Sequence, residues 1–251
     1  MTFGKLISLA LLSSVSALAI AEETAPPSPH TITGNFALTS QYVFRGLAQT
    51  NGRPAIQGGY DYAHACGFYA GVWASNVSWI SDVGAGDSSA LETDVYLGYK
   101  YTFLKDFVAD LGVIEYYYPG KFADTTVKPH TTEAYFGFSY KWASVKYSHV
   151  VSSDFFGFKD FKNTKYYEFN ANVPLPKGLT IALHGGRQDY SVASSSYSYN
   201  DYKLGISKEI APSYTLGLAC TYATTQAAYY TNPFGNNLGG TRVALSFTKA
   251  F

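Results

Sequence analysis

Hydrophobic and polar residues alternate with a period of two along most of the chain, from about residue 32 to the last residue. In the stretch "TDVYLGYKY", Val95, Leu97 and Tyr99 fall on one face, whereas Asp94 and Lys100 fall on the other. Successive side chains of a β-strand point to opposite faces, so this alternation is typical of strands with one apolar face. Runs with apolar spacing of three and four are missing from the sequence. The pattern therefore predicts an all-β fold.

The alternating stretches are separated by clusters of Gly, Asn, Asp, Ser and Pro, which favour turns. About twelve strands are predicted, at residues 33–46, 55–63, 68–79, 91–103, 107–118, 132–142, 144–153, 165–175, 179–190, 201–210, 214–226 and 241–251. Most of them are close to the ~9–11 residues with which a tilted strand crosses a lipid bilayer.

Alternation alone does not separate a soluble β-sandwich from a membrane barrel, and composition decides between them. Charged residues make up only 14% of the chain and aromatic residues 17%, with rings gathered at strand ends in "EYYYPG" and "AAYYTNPF". Aromatic residues at strand ends are typical of the girdles of membrane barrels. An open sheet in hydrocarbon would leave edge N–H and C=O groups unpaired. We therefore predict a transmembrane antiparallel β-barrel of about twelve strands.

The connections alternate between short and long, which predicts the orientation of the barrel. Short links such as "LKD" and "PKG" belong on the periplasmic side, and long polar links such as "GKFADTTVKPHT" belong outside. An even number of strands then places both termini in the periplasm. The final stretch, "TRVALSFTKAF", reads as a strand that closes the barrel against the first one.

The amino-terminal residues predict export. Residues 1–21 carry one early positive charge at Lys5, then an apolar run, then small residues ending at Ala21. This pattern is typical of a cleaved secretory signal peptide. Residues 22–31 contain three prolines and are predicted to be a flexible lead-in to a barrel formed by residues 32–251. The predicted location is the cell outer membrane, reached through the periplasm.

Charge and motifs exclude several function classes. Removing Lys5 from the 18 basic residues leaves 17 against 18 acidic residues, so nothing in the charge favours nucleic acid as a partner. No phosphate-binding, zinc-protease or EF-hand motif is present, and neither a cofactor nor a metal is expected. Cys66 is predicted in a periplasmic turn and Cys220 on the lipid-facing row of the eleventh strand, several strands away, which disfavours a disulfide, although their oxidation state stays open.

The run "LTSQYVFRGLAQTNGRPAIQGGYDYAHACGFYAGVWASNVSW", residues 38–79, resembles the opening signature of the TorF family of proteobacterial porins. "YVFRG", "GRPAIQGG" and "GFYAGVWASN" are its most specific parts, and the resemblance extends over essentially the whole mature chain. The terminal Phe251 is similar to the assembly signal of outer-membrane proteins, although Lys249 stands where that signal usually has an apolar residue. The resemblance implies an outer-membrane barrel and an interaction of the last strand with the barrel-assembly machinery.

Residues on the face opposite the apolar one are predicted to line the lumen. The pore-lining candidates are Arg45, Asp61, Asp94, Lys100, Asp110, Glu133, Lys141, Glu168, His184, Arg187, Asp201, Lys203 and Arg242, and Arg53 is a candidate for the pore mouth. These side chains either form a polar pore lining or an ion-pair network that plugs or stiffens the barrel. Because 8-stranded barrels are filled and 16- to 18-stranded barrels hold a water channel, any pore of about twelve strands is expected to be narrow.

The combined pattern predicts a porin that lets small hydrophilic solutes diffuse passively. Two alternatives stay open: a closed structural or adhesive barrel that binds a partner through its loops, and a barrel-embedded lipid hydrolase built around His184. Catalysis is not expected, because Ser148 and His149 point to opposite faces and no GxSxG motif is present. Membrane lipid is an expected partner, and the oligomeric state is left undetermined by the sequence.

Overall fold

The computed structural model describes residues 28–83, 87–190 and 197–251, so the predicted signal peptide and the first six residues of the lead-in lie outside the described residues. Fourteen strands are found in this part of the chain. They are β1 His30–Thr39, β2 Val43–Phe44, β3 Leu47–Ala48, β4 Ala55–His64, β5 Phe68–Asn76, β6 Leu91–Phe103, β7 Phe107–Tyr117, β8 Thr131–Tyr140, β9 Ala143–Val150, β10 Lys165–Leu175, β11 Leu179–Asp189, β12 Tyr199–Ala211, β13 Tyr214–Ala223 and β14 Gly240–Ala250. A four-residue helix, α1 (Ala227–Tyr230), lies in the connection before β14.

Twelve of these strands form a closed antiparallel barrel, in which β1 pairs with both β4 and β14. The short strands β2 and β3 pair only with each other. The predicted twelve-stranded antiparallel barrel is therefore confirmed. Its two ends differ. All five short turns, the start of β1 and the end of β14 lie at one rim, here the short-turn rim, and the six long connections lie at the other, here the long-loop rim.

The period of two in the sequence sorts the side chains between the outer and inner faces of the wall. On β6, Val95, Leu97 and Tyr99 are each about half exposed on the outside, with 51%, 52% and 48% of their surface accessible. Asp94 and Tyr96 point inward and are buried. Outward apolar rows of this kind match a surface that contacts lipid rather than water.

The chain end closes the barrel, as the sequence predicted. β14 pairs with β1 from Ala250 opposite Asn35 to Ser246 opposite Thr39. Beyond the strand, the Phe251 backbone N–H donates to the Gly34 carbonyl at 2.8 Å. Closure gives the backbone groups of the last strand partners that an open edge in hydrocarbon would lack.

Aromatic rings gather near the short-turn rim on the outer face. Phe107 stacks on Tyr140 with ring centroids 4.4 Å apart, and Tyr214 stacks on Phe247 at 5.8 Å. The Lys249 ammonium lies 4.1 Å from the centre of the Tyr214 ring. This contact lets a cation occupy a position in the last strand where an apolar residue is usual, because the charge rests on a ring face at the membrane interface.

Inward tyrosines of β5–β8 lie over glycines on the neighbouring strand. Tyr69 covers Gly98 and Tyr96 covers Gly71, each being directly opposite the other in the register. A Cβ added to Gly98 would stand 2.6 Å from the Leu111 carbonyl oxygen, so no side chain fits there. An arginine at Gly98 is therefore not accommodated, although the position faces the lumen.

Two further facts complete the description. Across the described ranges, the structure contains no helix that is long and apolar enough to cross a membrane. Cys66, in the turn between β4 and β5, and Cys220, on the outer face of β13, are both free and exposed. The first barrel strand also differs from its prediction: it begins at His30 rather than at residue 33, and ends at Thr39 rather than at residue 46.

The depth of outward residues gives a test of the membrane-spanning arrangement. Leu97→Arg, at the middle of β6, is expected to lower the free energy of unfolding by about 2–4 kcal/mol, whereas Tyr101→Arg, on the same face near the short-turn rim, should cost about 0–1 kcal/mol. Urea unfolding of the refolded protein in lipid vesicles measures both. Equal costs at the two positions would contradict the assigned depth.

Candidate functional site

The connection between β1 and β4 does not extend outward from the long-loop rim but folds into the barrel. We call residues 40–54 the inserted hairpin; it contains β2, β3 and the turn between them. The Gln49 N–H donates to the Tyr42 carbonyl at 2.8 Å, and the Thr50 hydroxyl accepts from the Tyr42 N–H at 3.0 Å. These bonds make the hairpin a compact structural unit rather than an irregular loop.

Arg45 and Gly46 form the tip of the inserted hairpin. Both have positive φ angles, 45° and 76°, which a two-residue turn of this hand requires. Gly46 is needed for space as well, because an added Cβ would lie 2.7 Å from Cβ of Asp201 and 2.8 Å from Cβ of Ala223. The tip thus touches β12 and β13, across the barrel from β6 and β7. A positive φ is uncommon for arginine, which indicates that its side-chain contacts hold it there.

The Arg45 guanidinium forms a two-pronged ion pair with Glu133 of β8. Its Nη1 and Nη2 donate to the two carboxylate oxygens at 2.8 and 2.6 Å, and Nη1 also donates to Gln188 at 3.1 Å. The guanidinium lies 4.1 Å from the centre of the Tyr166 ring. Both partners are almost completely buried, with 7% and 2% of their side chains exposed. The pair therefore links the hairpin tip to the opposite wall in a water-poor setting, where losing one partner is costly.

The base of the inserted hairpin is tied to β6. The Tyr42 hydroxyl donates to Glu92 at 2.8 Å, and Tyr118 donates to the other oxygen of the same carboxylate at 2.9 Å. Burial and the neighbouring carboxylates of Glu92 and Asp94 raise the pKa of Tyr42 well above its usual range. The hydroxyl consequently remains a donor at any physiological pH.

Two buried aromatic clusters enclose the inserted hairpin. Phe44 packs edge-on against Tyr116 at 5.6 Å and against Phe156 at 6.0 Å, on one side. Leu47 packs on the other side against the cluster that includes Tyr190 and Tyr199. The hairpin and these clusters fill the half of the lumen next to the long-loop rim.

The other half of the lumen, next to the short-turn rim, is lined by polar side chains that point inward from the strands. On one wall, Lys100 lies 4.0 Å from Asp110, which accepts a hydrogen bond from Tyr69 at 2.7 Å. Tyr69 also contacts the hydroxyl of Tyr135 at 2.5 Å, and Tyr96 donates to Asp61 at 2.5 Å. These tyrosines hold the carboxylates in fixed positions.

The facing wall carries a second polar group on β9–β12. Lys146 pairs with Glu168 at 2.8 Å. His184 contacts Asp201 through Nε2 and Asn170 through Nδ1, both at 2.8 Å. Lys203, on β12, also points inward, and Glu168 and Asp201 supply the nearest opposite charge. Both signs of charge therefore lie on each side of this part of the lumen.

The structure places most of the predicted lumen candidates on the inner face. From the strands these are Asp61, Asp94, Lys100, Asp110, Glu133, Glu168, His184, Asp201, Lys203 and Arg242. Arg242 is near the long-loop rim, where it donates to the Asn237 carbonyl. Arg53 lies at the mouth with 58% of its side chain exposed and pairs with Asp82 at 2.7 Å.

Three placements differ from the sequence prediction. Arg45 is inside the barrel, but on the inserted hairpin rather than on the first wall strand. Lys141 is wrong as a lumen residue: β8 ends at Tyr140, and Lys141 is fully exposed in the following turn with φ 53°. Arg187 is also wrong, because the inward positions of β11 are even-numbered; it is exposed on the outer face and contacts Asn200.

Sequence reasoning missed three residues that complete the site: Tyr42, Glu92 and Gln188. Glu92 and Gln188 have the inward parity of their strands, so continuing the alternation from Asp94 to Glu92 on β6, and from His184 through Gly186 to Gln188 on β11, would have found them. Tyr42 gave no such signal, because its partner Glu92 is fifty positions away along the chain.

Catalytic and metal chemistry find no support in the site. The hydrogen-bond partners of His184 are Asp201, Asn170 and Tyr166, and none of these is a serine nucleophile. Within residues 28–83, 87–190 and 197–251, no group of three or more His, Cys, Asp or Glu side chains is placed to hold a metal ion.

The Arg45–Glu133 pair gives a prediction for stability. Arg45→Met leaves a buried carboxylate without its partner and should cost about 3–5 kcal/mol of unfolding free energy, whereas Arg45→Met combined with Glu133→Gln should cost less than the sum of the two single changes. Denaturant unfolding of all four proteins measures the coupling. Additive costs would mean that the two groups do not interact.

Comparison with solved structures supports the fold. The chain is similar to a structure of the KdgM porin in complex with disordered oligogalacturonate, with a TM-score of 0.54 and 12% identity, over 88% of this chain and 98% of that one. It is also similar to the NanC porin in a rhombohedral crystal form, with a TM-score of 0.53 and 10% identity, over 88% and 99% of the two chains. At such identities the likeness concerns the fold alone. No curated protein matches the chain at a significant level.

A family profile matches residues 23–251, which include the whole barrel. The profile describes a bacterial protein family of unknown function, Gcw_chp. The structural likeness agrees with a porin-like barrel but does not single out the TorF family that the opening signature resembles. The chain belongs to the Gcw_chp family.

Proposed function

We propose that the protein is an outer-membrane channel of the porin type, through which small hydrophilic solutes diffuse passively. The observation that carries this proposal is the polar lumen next to the short-turn rim, where charged side chains of both signs point inward from a closed barrel. A barrel whose only task is mechanical has no need of so many charges facing its interior, because desolvating them costs free energy.

The inserted hairpin is the constriction of this channel. It reaches from Glu92 on β6 to Gly46 against β12 and β13, so it crosses the lumen from wall to wall. Solutes pass only where the hairpin leaves space or when it moves. A narrow, loop-limited passage agrees with the expectation for a barrel of twelve strands.

The distribution of charge favours neutral solutes and cations over polyanions. In the half of the lumen next to the short-turn rim, four inward carboxylates, those of Asp61, Asp110, Glu168 and Asp201, stand against three lysines, Lys100, Lys146 and Lys203. The KdgM porin was solved with oligogalacturonate, a polyanion. A polyanion would need a track of unpaired cations, whereas Lys100 and Lys146 each face a carboxylate here. We infer a weak preference for cations.

A second candidate function is a closed structural barrel that binds a partner through its loops. The observation in its favour is that the hairpin is wedged between two aromatic clusters and held by a buried ion pair. Such a plug excludes water and ions from one half of the lumen. A measurement of ion conduction distinguishes this closed structural barrel from a porin.

The location and assembly of the barrel belong to the same proposal. Membrane lipid surrounds the outward apolar rows, and the terminal strand with Phe251 is recognised by the barrel-assembly machinery in the outer membrane. The resemblance to the TorF family adds support for this location. In the proposed orientation, the short-turn rim faces the periplasm.

Single-channel recording in a planar bilayer tests the function. The refolded protein is expected to give small, discrete current steps and, under a salt gradient, a reversal potential of the sign that indicates cation preference. Replacing residues 43–48 by Asn-Gly joins Tyr42 to Gln49, which are already hydrogen-bonded, and removes the tip of the hairpin. This variant should conduct several-fold better, because the constriction is gone.

The matched control shortens a loop that stays outside the lumen. Residues 233–235 lie in an exposed turn in which Asn232 and Asn236 are already bonded to each other, and their removal should leave conductance unchanged. If neither the native protein nor the variant without the hairpin tip conducts, although both are folded, the closed structural barrel is the correct function.

A further inference from the structure

The barrel wall is incomplete on the side of the long-loop rim, between β14 and β4. β1 and β14 pair over only five residues, up to Thr39 opposite Ser246, whereas β14 continues along β13 as far as Gly240. β4 begins at Ala55, directly opposite Thr39, and so ends at the same level as β1. Residues 240–245 of β14 therefore have a strand neighbour on one side only.

This gap in the wall, here called the notch, reaches the depth of the hydrocarbon. Leu245 lies opposite Leu218, which lies opposite Ile206, and all three are about half exposed on the outer face. Along these strands the apolar band is bounded by paired tyrosines, Tyr202 and Tyr222, towards the long-loop rim. Aromatic belts of this kind mark the membrane interface. The part of the notch at Leu245 lies within the band and below the belt.

A cavity of about 640 Å³ occupies the notch. Its walls are mainly apolar side chains of the outer face: Leu38, Ile56, Leu216, Leu245 and Phe247. Three residues with inward parity, Thr39, Ala55 and Ser246, line it as well. The cavity is therefore open to the outer surface and reaches into the wall at these three positions.

An apolar region continues from the notch into the barrel. Ala55, which lines the cavity, also belongs to a buried cluster that contains Tyr42 and Trp73, whose ring centroids are 5.4 Å apart. The cluster extends to Val77 and Ile80 near the long-loop rim. The interior behind the notch is thus suited to hydrocarbon, unlike the charged half of the lumen.

Two residues beyond the end of β1, not a paired strand, satisfy the free edge of β14 at the notch. Ser40 exchanges two hydrogen bonds with the Leu245 backbone, one of them through its hydroxyl, at 2.8 and 2.9 Å. The Gln41 side chain donates to the Val243 carbonyl at 2.8 Å. Two residues at the base of the inserted hairpin therefore close the seam, and such a closure separates more readily than a full ladder of backbone bonds.

We propose that the notch is a lateral binding site for an acyl chain of a membrane amphiphile. The chain enters from the lipid between β14 and β4, lies against Leu38, Ile56 and Leu245, and reaches the apolar cluster beside Trp73. Lipid is the occupant because the notch opens at hydrocarbon depth, where acyl chains are the surrounding medium. The site is separate from the proposed aqueous route and does not depend on conduction.

Photolabelling of the full refolded chain in phosphatidylcholine vesicles tests the site. The probe is palmitic acid with a diazirine near its methyl end, followed by irradiation and peptide mass spectrometry. Label is expected on Ala55 and on Trp73, which face inward, and not on the inward Lys146 of β9, on the far wall. Label confined to outward residues, with equal yield all around the barrel, would overturn the proposal.

A pair of matched variants sharpens the result. Leu245→Trp fills the notch, whereas Leu204→Trp places the same ring on an equally exposed position of β12, away from it. The first should lose the label on Ala55 and Trp73, and the second should keep it. Ile56→Trp replaces Leu245→Trp if the latter does not fold. Unchanged labelling in a folded notch-filled variant contradicts the site, while its single-channel conductance tests the porin proposal independently.

Discussion

The whole structure depends on one constraint: backbone N–H and C=O groups within hydrocarbon need partners in the protein, since lipid supplies none. Twelve strands meet it by closing into a ring, and the last residues of the chain complete that ring against β1. Towards the long-loop rim, β14 has no strand partner on the side of β1, and there Ser40 and Gln41 supply the hydrogen bonds. The inserted hairpin begins at this point, so the closing of the wall and the filling of the lumen are parts of one arrangement.

The inserted hairpin divides the lumen into two environments. Towards the long-loop rim, aromatic clusters and the Arg45–Glu133 pair bury the tip of the hairpin. Towards the short-turn rim, charged groups are paired but remain partly accessible, as with Lys146 and Glu168, whose side chains are 17% and 13% exposed. A buried pair contributes little net stability but is costly to break. It therefore fixes where the hairpin tip sits more than it strengthens the barrel.

Much of the fold could be predicted because its main signal is local. The period of two follows from strand geometry, and β6, β10 and their turns were placed to the residue. Two predictions are wrong where that signal is weak. Gly185 and Gly186 have no side chain that shows which face they occupy, so Arg187 of β11 is wrongly predicted to point inward. The alternating run of β8 ends at Tyr140, and Lys141, which follows it, lies in a turn. The inserted hairpin was not foreseen, because Arg45 meets Glu133 and Gln188 only in the folded chain. The length of the pairing between β1 and β14 is equally hard to predict, because it depends on residues that are far apart in the sequence.

The tyrosine and glycine contacts on the inner wall bear on how the strands find their alignment. Sliding β5 past β6 by two residues would keep every side chain on its proper face, so hydrophobicity alone does not forbid it. That slip would, however, move Tyr69 away from Gly98 and Tyr96 away from Gly71. It would set Tyr96 opposite another ring, either that of Tyr69 or that of Trp73. The two contacts run in opposite directions between the same pair of strands. The fit of each ring over a glycine on the neighbouring strand therefore selects the alignment of β5 and β6 during folding, where polarity alone does not.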